Sequence, residues 1–122
     1  MKICIIDDDK IYQFLLKKII HIVNKEVTVH SFHNGEEAME FFKQKDSSFD
    51  MIFLDLNMPK MDGWEFIERY QELITNNSTS PEIYVSTSSI SESDQLKVAS
   101  CDLVKAYLTK PITIEAMEKI IK

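Results

Sequence analysis

Met51-Ile52-Phe53-Leu54-Asp55-Leu56-Asn57-Met58-Pro59, followed by Asp62-Gly63, is the stretch that decides the fold. A wholly apolar run this short reads as a strand buried on both faces, the kind found in parallel sheets. The Asn, the Pro and the Asp-Gly pair then read as the loop that stops it. Asp55 is thereby delivered to the end of a core strand, where a charge is costly unless something compensates it.

Outward from that run, two kinds of segment alternate. Apolar runs with strand character are Ile3–Ile6, Val27–Phe32, Met51–Leu54, Ile83–Ser86 and Ala106–Leu108. Between them lie stretches of helical periodicity. Ile11, Leu15, Ile19, Ile22 and Val23 line one face of the first. Ala38, Phe41 and Phe42 mark the second, and Phe66, Ile67, Tyr70, Leu73 and Ile74 the third. The fourth, between Ser91 and Ser100, has little apolar content, and Ser91-Glu92-Ser93-Asp94 resembles an N-terminal cap. Ile114, Met117, Ile120 and Ile121 mark the last. Thr75–Ser80 reads as a polar connection. Five strands alternating with five helices predict an α/β fold, a doubly wound (βα)5 unit around a five-stranded parallel sheet. Crossovers are then right-handed, and the strand order expected for a sheet of this size is 2-1-3-4-5.

The chain has 122 residues, one domain's worth, with 14 Lys plus Arg against 20 Asp plus Glu and a net charge of −6. An acidic chain without clustered Lys and Arg is a poor direct ligand for nucleic acid. Cys4 and Cys101 have no CxxC spacing and read as reduced thiols rather than a disulfide or metal pair. No apolar stretch approaches membrane-spanning length, and Met1-Lys2-Ile3-Cys4-Ile5-Ile6-Asp7 is too short and too soon acidic for a signal peptide. A cytoplasmic protein spanning residues 1–122 as one domain is the expectation.

In a parallel sheet all the strand C-termini share one rim, and ligands bind there. The residues at those ends are Asp7 and Asp8, Asp55, Thr87 and Lys110. Crowded carboxylates raise one another's pKa unless a cation holds them. A hard divalent ion with oxygen ligands fits, Mg²⁺ above all, since it takes one or two carboxylates plus water and phosphate. With Lys110 as a second positive charge, Asp55 can act as a nucleophile toward a phosphoryl group. Thr87 can donate a hydrogen bond to the acyl phosphate that forms. Asp9 reads as a cap of the first helix. His21, His30 and His33 are scattered without metal-ligand spacing; Met58 and Met61 read as loop packing, and Trp64 as partly buried without a role.

Taken together, Ile5-Ile6-Asp7-Asp8-Asp9, Asp55-Leu56-Asn57-Met58-Pro59 with Met61-Asp62-Gly63, Thr87-Ser88 and Tyr107-Leu108-Thr109-Lys110-Pro111 resemble the receiver domain of two-component response regulators, over essentially the whole chain. The resemblance implies a flavodoxin-like fold, Asp55 as phosphoacceptor, and Mg²⁺ held by Asp7, Asp8 and Asp55 with the backbone carbonyl of Asn57. It implies a conformational switch formed by Thr87 and Tyr107, and a cis Lys110-Pro111 bond. The implied partners are a sensor histidine kinase or histidine phosphotransfer protein, and a downstream protein target on the face of the fourth helix, fifth strand and fifth helix. Ser86, Ser88 and Ser89 offer hydroxyls one or two steps from Thr87, which is preferred for sharing a face with Ile83 and Val85. Leu103-Val104 stands where many receivers carry Gly-Ala.

Two other classes compete. A pseudo-receiver that binds a partner without phosphorylation has no physical need for all five of Asp7, Asp8, Asp55, Thr87 and Lys110. A flavodoxin-like cofactor carrier lacks the Ser/Thr/Gly-rich first loop, and Asp7-Asp8-Asp9 would repel a flavin phosphate. The expectation is therefore a phosphorylatable module that turns over no separate substrate and so is not an enzyme. It is either stand-alone or cut from a longer regulator.

Overall fold

The computed structural model describes residues 1–44, 49–73, 81–88 and 90–121. Ile74, the Thr75–Ser80 connection, Ser89 and Lys122 lie outside the described residues. The elements run β1 (Lys2–Ile6), α1 (Lys10–Val23), β2 (Thr28–Phe32), α2 (Gly35–Gln44), β3 (Met51–Asp55), α3 (Gly63–Leu73), β4 (Glu82–Thr87), α4 (Glu92–Ser100), β5 (Val104–Thr109) and α5 (Ile114–Ile121). The five strands form one parallel sheet in the order β2-β1-β3-β4-β5. This is the flavodoxin-like order usual for a doubly wound sheet of this size.

Side chains of a strand alternate between faces, so the sheet feeds two cores. Cys4, Ile6, Ile52, Leu54, Ile83 and Val85 face α2 and α3, among Ala38, Met39, Phe66, Ile67 and Tyr70. Ile3, Ile5, Met51, Phe53 and Tyr84 face α1 and α5, among Leu16, Ile20, Met117 and Ile121. All five residues of β3 are buried, Asp55 included. The edge strands β2 and β5 are only half-covered.

Helix α1 buries only part of its expected apolar face, Ile19 and Val23 packing against the core. Its buried residues are Gln13, Leu16 and Ile20, whereas Ile11, Leu15 and Ile22 are exposed. Both flanks of this helix are apolar, so spacing alone does not say which one faces the sheet. On α3, Phe66, Ile67 and Tyr70 are buried, but Leu73 is exposed. On α5, Met117 and Ile121 are buried and Ile114 is exposed. Near the start of β5 the β4–β5 register slips, Ile83 pairing with Val104 and Tyr84 with Ala106. Lys105 is the extra residue of that irregularity, and the strand end is in register, Thr87 opposite Thr109.

Candidate functional site

The β1–α1 junction sets two carboxylates. Asp7 is buried; its N–H donates to the Phe32 carbonyl at 3.1 Å, and its Oδ1 accepts from the Asp9 N–H at 2.9 Å. Asp9 in turn caps α1, its side chain accepting from the N–H groups of Ile11 and Tyr12. Gln13, a buried amide, donates to the carbonyls of Asp7 at 2.7 Å and Phe32 at 2.6 Å. This clamp ties the ends of β1 and β2 to the helix, and it fixes where the Asp7-Asp8 segment leaves the sheet.

β3 delivers Asp55, buried at its carboxyl end. The N–H of Asn57 donates to Asp55 Oδ1 at 3.1 Å, and the Asn57 side-chain amide donates to Thr87 Oγ1 at 3.0 Å. Thr87 ends β4, wholly buried. The Lys110 N–H donates to the Thr87 carbonyl at 2.9 Å, and the Lys110-Pro111 bond is cis.

Those constraints send the Lys110 ammonium across the site. Its Nζ lies 2.8 Å from Asp7 Oδ2, 3.5 Å from Asp55 Oδ1, and 4.3 Å from the centre of the Tyr12 ring. Asp7, Asp8 and Asp55 each present a carboxylate oxygen within 4.8 Å of the others, with Asp8 exposed on the solvent side. Burial pushes the Asp55 carboxyl up to about 6, and the Asp7 charge adds to the rise. The Asn57 N–H and the Lys110 ammonium oppose it, while the neighbouring Asp8 carboxyl adds a little more. One ammonium therefore does not neutralise the cluster. Three hard oxygen donors, closely spaced and short of positive charge, fit a small divalent cation such as Mg²⁺.

All five strand-end residues thus meet at one rim. Tyr107 stands apart on edge strand β5, exposed. Met58 and Met61 are buried packing residues, and Asp94 is the third residue of a capped α4, its N–H donating to Ser91 Oγ at 3.1 Å. Trp64 has a role that sequence did not reveal: its Nε1–H donates to Asp94 at 2.9 Å, joining α3 to α4. Nor does the sequence single out the Gln13 clamp or the Tyr12 ring, although a glutamine in register with Leu16 and Ile20 is an oddity on a buried face. An open groove of about 700 Å³ between α2 and α3, lined by Trp64, Glu65, Glu68, Arg69 and others, holds none of the five rim residues.

Among the described residues no helix is long and apolar enough to cross a membrane. Residues 3–122 match the family model for the response regulator receiver domain. The chain is 31% identical to "Hybrid signal transduction histidine kinase L" of Dictyostelium discoideum over 99% of its own length and 7% of that protein. It is 27% identical to "Two-component response regulator ARR10" of Arabidopsis thaliana over 98% of its length and 20% of that protein. The chain thus spans a small part of these curated relatives. A two-component response regulator from Cytophaga hutchinsonii superposes with a TM-score of 0.82 at 28% identity, covering 98% of this chain and 92% of that one. With the fold, the rim and these likenesses in agreement, the chain belongs to the response regulator receiver domains, the modules of two-component systems whose role is to accept a phosphoryl group on aspartate.

Proposed function

We propose that Asp55 is the phosphoacceptor of a single receiver domain spanning residues 1–122, served by Lys110 and Thr87. The observation that carries this is the Lys110 ammonium bridging Asp7 and Asp55, with Asp8 within reach of both. A carboxylate Oδ of Asp55 attacks the phosphorus of a phosphohistidine on a sensor kinase or phosphotransfer protein. The new O–P bond forms as the P–N bond breaks, and the imidazole nitrogen keeps the electron pair. Mg²⁺, held by Asp7, Asp8 and Asp55 with the Asn57 backbone carbonyl, would supply positive charge against the phosphoryl oxygens. Lys110 moves from Asp55 to a phosphoryl oxygen, and Asp7 keeps it on that side of the site.

The switch reading follows from the same rim. Thr87 Oγ1 accepts from Asn57 in this structure; with phosphate on Asp55 it turns to donate to a phosphoryl oxygen. Tyr107 on β5 then moves into the space vacated, and the α4–β5–α5 face changes for a downstream protein target. Phosphorylation acts through its differential affinity for the two states. That α4 has no buried residue supports its place in the moving part. We assign the domain to the cytoplasm and to signalling rather than turnover of a separate substrate. NMR titration with beryllofluoride or acetyl phosphate tests the reading: a Mg²⁺-dependent response at the rim and α4 is expected, abolished by Asp55→Asn. A response that survives that substitution refutes it.

A further inference from the structure

Lys110 has an ammonium with three donors, and two of its sides are taken by carboxylates. The third lies over the face of Tyr12, with Nζ 4.3 Å from the ring centre, inside the range of a cation–π contact. The phenol hydroxyl is buried, with the Ser86 hydroxyl as its polar neighbour. What Tyr12 offers the Lys110 ammonium is its ring face. It is also held firmly. Tyr12 is the third residue of α1, its N–H is capped by Asp9, and its neighbour Gln13 is pinned at 2.7 and 2.6 Å to two strand ends.

We propose that Tyr12 is a positioning residue for phosphorylation, its ring serving as the platform on which the Lys110 ammonium rests and along which it shifts. The inference rests on Asp55 being the phosphoacceptor. A reacting ammonium needs to stay dry and centred between Asp7 and Asp55, yet free to follow the phosphoryl oxygen when Asp55 is esterified. A ring face does both: it attracts the cation without a directional hydrogen bond, so a small displacement breaks nothing. A third carboxylate there would hold the lysine back, and an aliphatic side chain would cover it without attraction.

The test separates ring from bulk. Rates of acetyl phosphate labelling of Asp55 with saturating Mg²⁺, read by intact mass, are compared for wild type, Tyr12→Phe and Tyr12→Leu. Tyr12→Leu is expected to slow labelling about five-fold, with Mg²⁺ affinity unchanged, and Tyr12→Phe to restore the rate. Should Tyr12→Leu fold poorly, phenylalanines with one, two or three ring fluorines at position 12 keep the shape while draining the ring face. The rate is then expected to fall stepwise with fluorine number. A flat series, or Tyr12→Phe as slow as Tyr12→Leu, overturns the platform. In the resting protein the Lys110 ε-methylene protons should show upfield ring-current shifts that vanish in Tyr12→Leu. If wild type takes no phosphate on Asp55 the functional reading falls by itself, and the Lys110 shift still decides the platform, since its absence from wild type overturns it.

Discussion

A Cβ added to Gly63 would lie 2.9 Å from the carbonyl oxygen of Asp55 and equally close to Leu56 Cα and Cδ2. Two of those three contacts are backbone, and backbone at the end of a central strand cannot move aside. The Gly63 N–H also donates to the Leu56 carbonyl at 3.1 Å, so the helix start is drawn against the strand end that carries Asp55. Gly63→Ala should therefore cost about 1–3 kcal/mol in urea denaturation and displace the Asp55 amide resonance. Gly35 is the informative control. An added Cβ there would meet the Met61 side chain, with Sδ nearest at 2.9 Å, and a thioether can swing away. Gly35 opens α2, where the alanine preference of about 1 kcal/mol found in helix interiors acts only in part, so Gly35→Ala should be close to neutral. Equal losses at both positions would mean that the close approach at Gly63 has no special weight. Lys60 marks the other tight point of this loop: its φ is 68°, inside a three-residue turn closed by the Met61 N–H on the Pro59 carbonyl at 2.8 Å.

On the scale of elements, α1 carries the largest surprise. Ile11, Phe14, Leu15 and Ile22 are 74%, 59%, 51% and 64% exposed, and the Lys18 ammonium rests 4.8 Å from the centre of the Phe14 ring. The helix begins just after Asp8, so under the proposed function a protein that brings a phosphohistidine to Asp55 is expected to cover its first turns. Replacing Ile11 and Phe14 together by serine should slow transfer from a phosphohistidine protein at least ten-fold, about 1.4 kcal/mol per ten-fold, and spare acetyl phosphate labelling. Equal slowing with both donors would rule out docking on this face. A second tie concerns α4, which has no buried residue and is joined to α3 through Trp64 and Asp94, with Lys97 5.5 Å from the centre of the same indole. Trp64→Phe should speed amide exchange across α4 roughly five-fold, the worth of about one hydrogen bond, leaving β1 and β3 protected. These helices also show where sequence stops being legible. Strands β1 and β3 are apolar at four of five positions, and β4 carries the apolar centre Ile83-Tyr84-Val85, because both faces are covered, so their order in the chain and the polar residues at their ends could be read directly. The core face of α1 could not, since Leu15 and Leu16, or Ile19 and Ile20, differ only by a 100° rotation about the axis. Nor could the tasks of Tyr12, Gln13 and Trp64, whose partners come from other elements.

For the molecule as a whole, the rim opposes the stability of the fold that presents it. Asp55 has a carboxyl raised from 3.8 to about 6 by burial first and the Asp7 charge second. A group whose value is higher in the folded state favours folding when protonated. Its contribution is complete below about 3.8 and is lost as the pH rises through about 6. In metal-free solution at pH 7.5 the ionised Asp55 thus weakens the domain, and at about 1.4 kcal/mol per unit the cost is on the order of 2–3 kcal/mol. That is a sizeable share of the roughly 5–15 kcal/mol that a domain possesses. Asp55→Asn removes the charge but keeps the shape and an acceptor for the Asn57 N–H. With a chelator present, urea denaturation should find Asp55→Asn about 1–3 kcal/mol more stable than wild type at pH 7.5, and the two equal near pH 4, where the wild-type carboxyl is protonated. Adding Mg²⁺ at pH 7.5 should close the gap by stabilising wild type more, because the ion binds only the folded arrangement of carboxylates. A metal-free Asp55→Asn protein less stable than wild type at pH 7.5 would show that Lys110 already balances the cluster. The charge deficit at the rim, and with it the physical reason for a cation there, would then be gone.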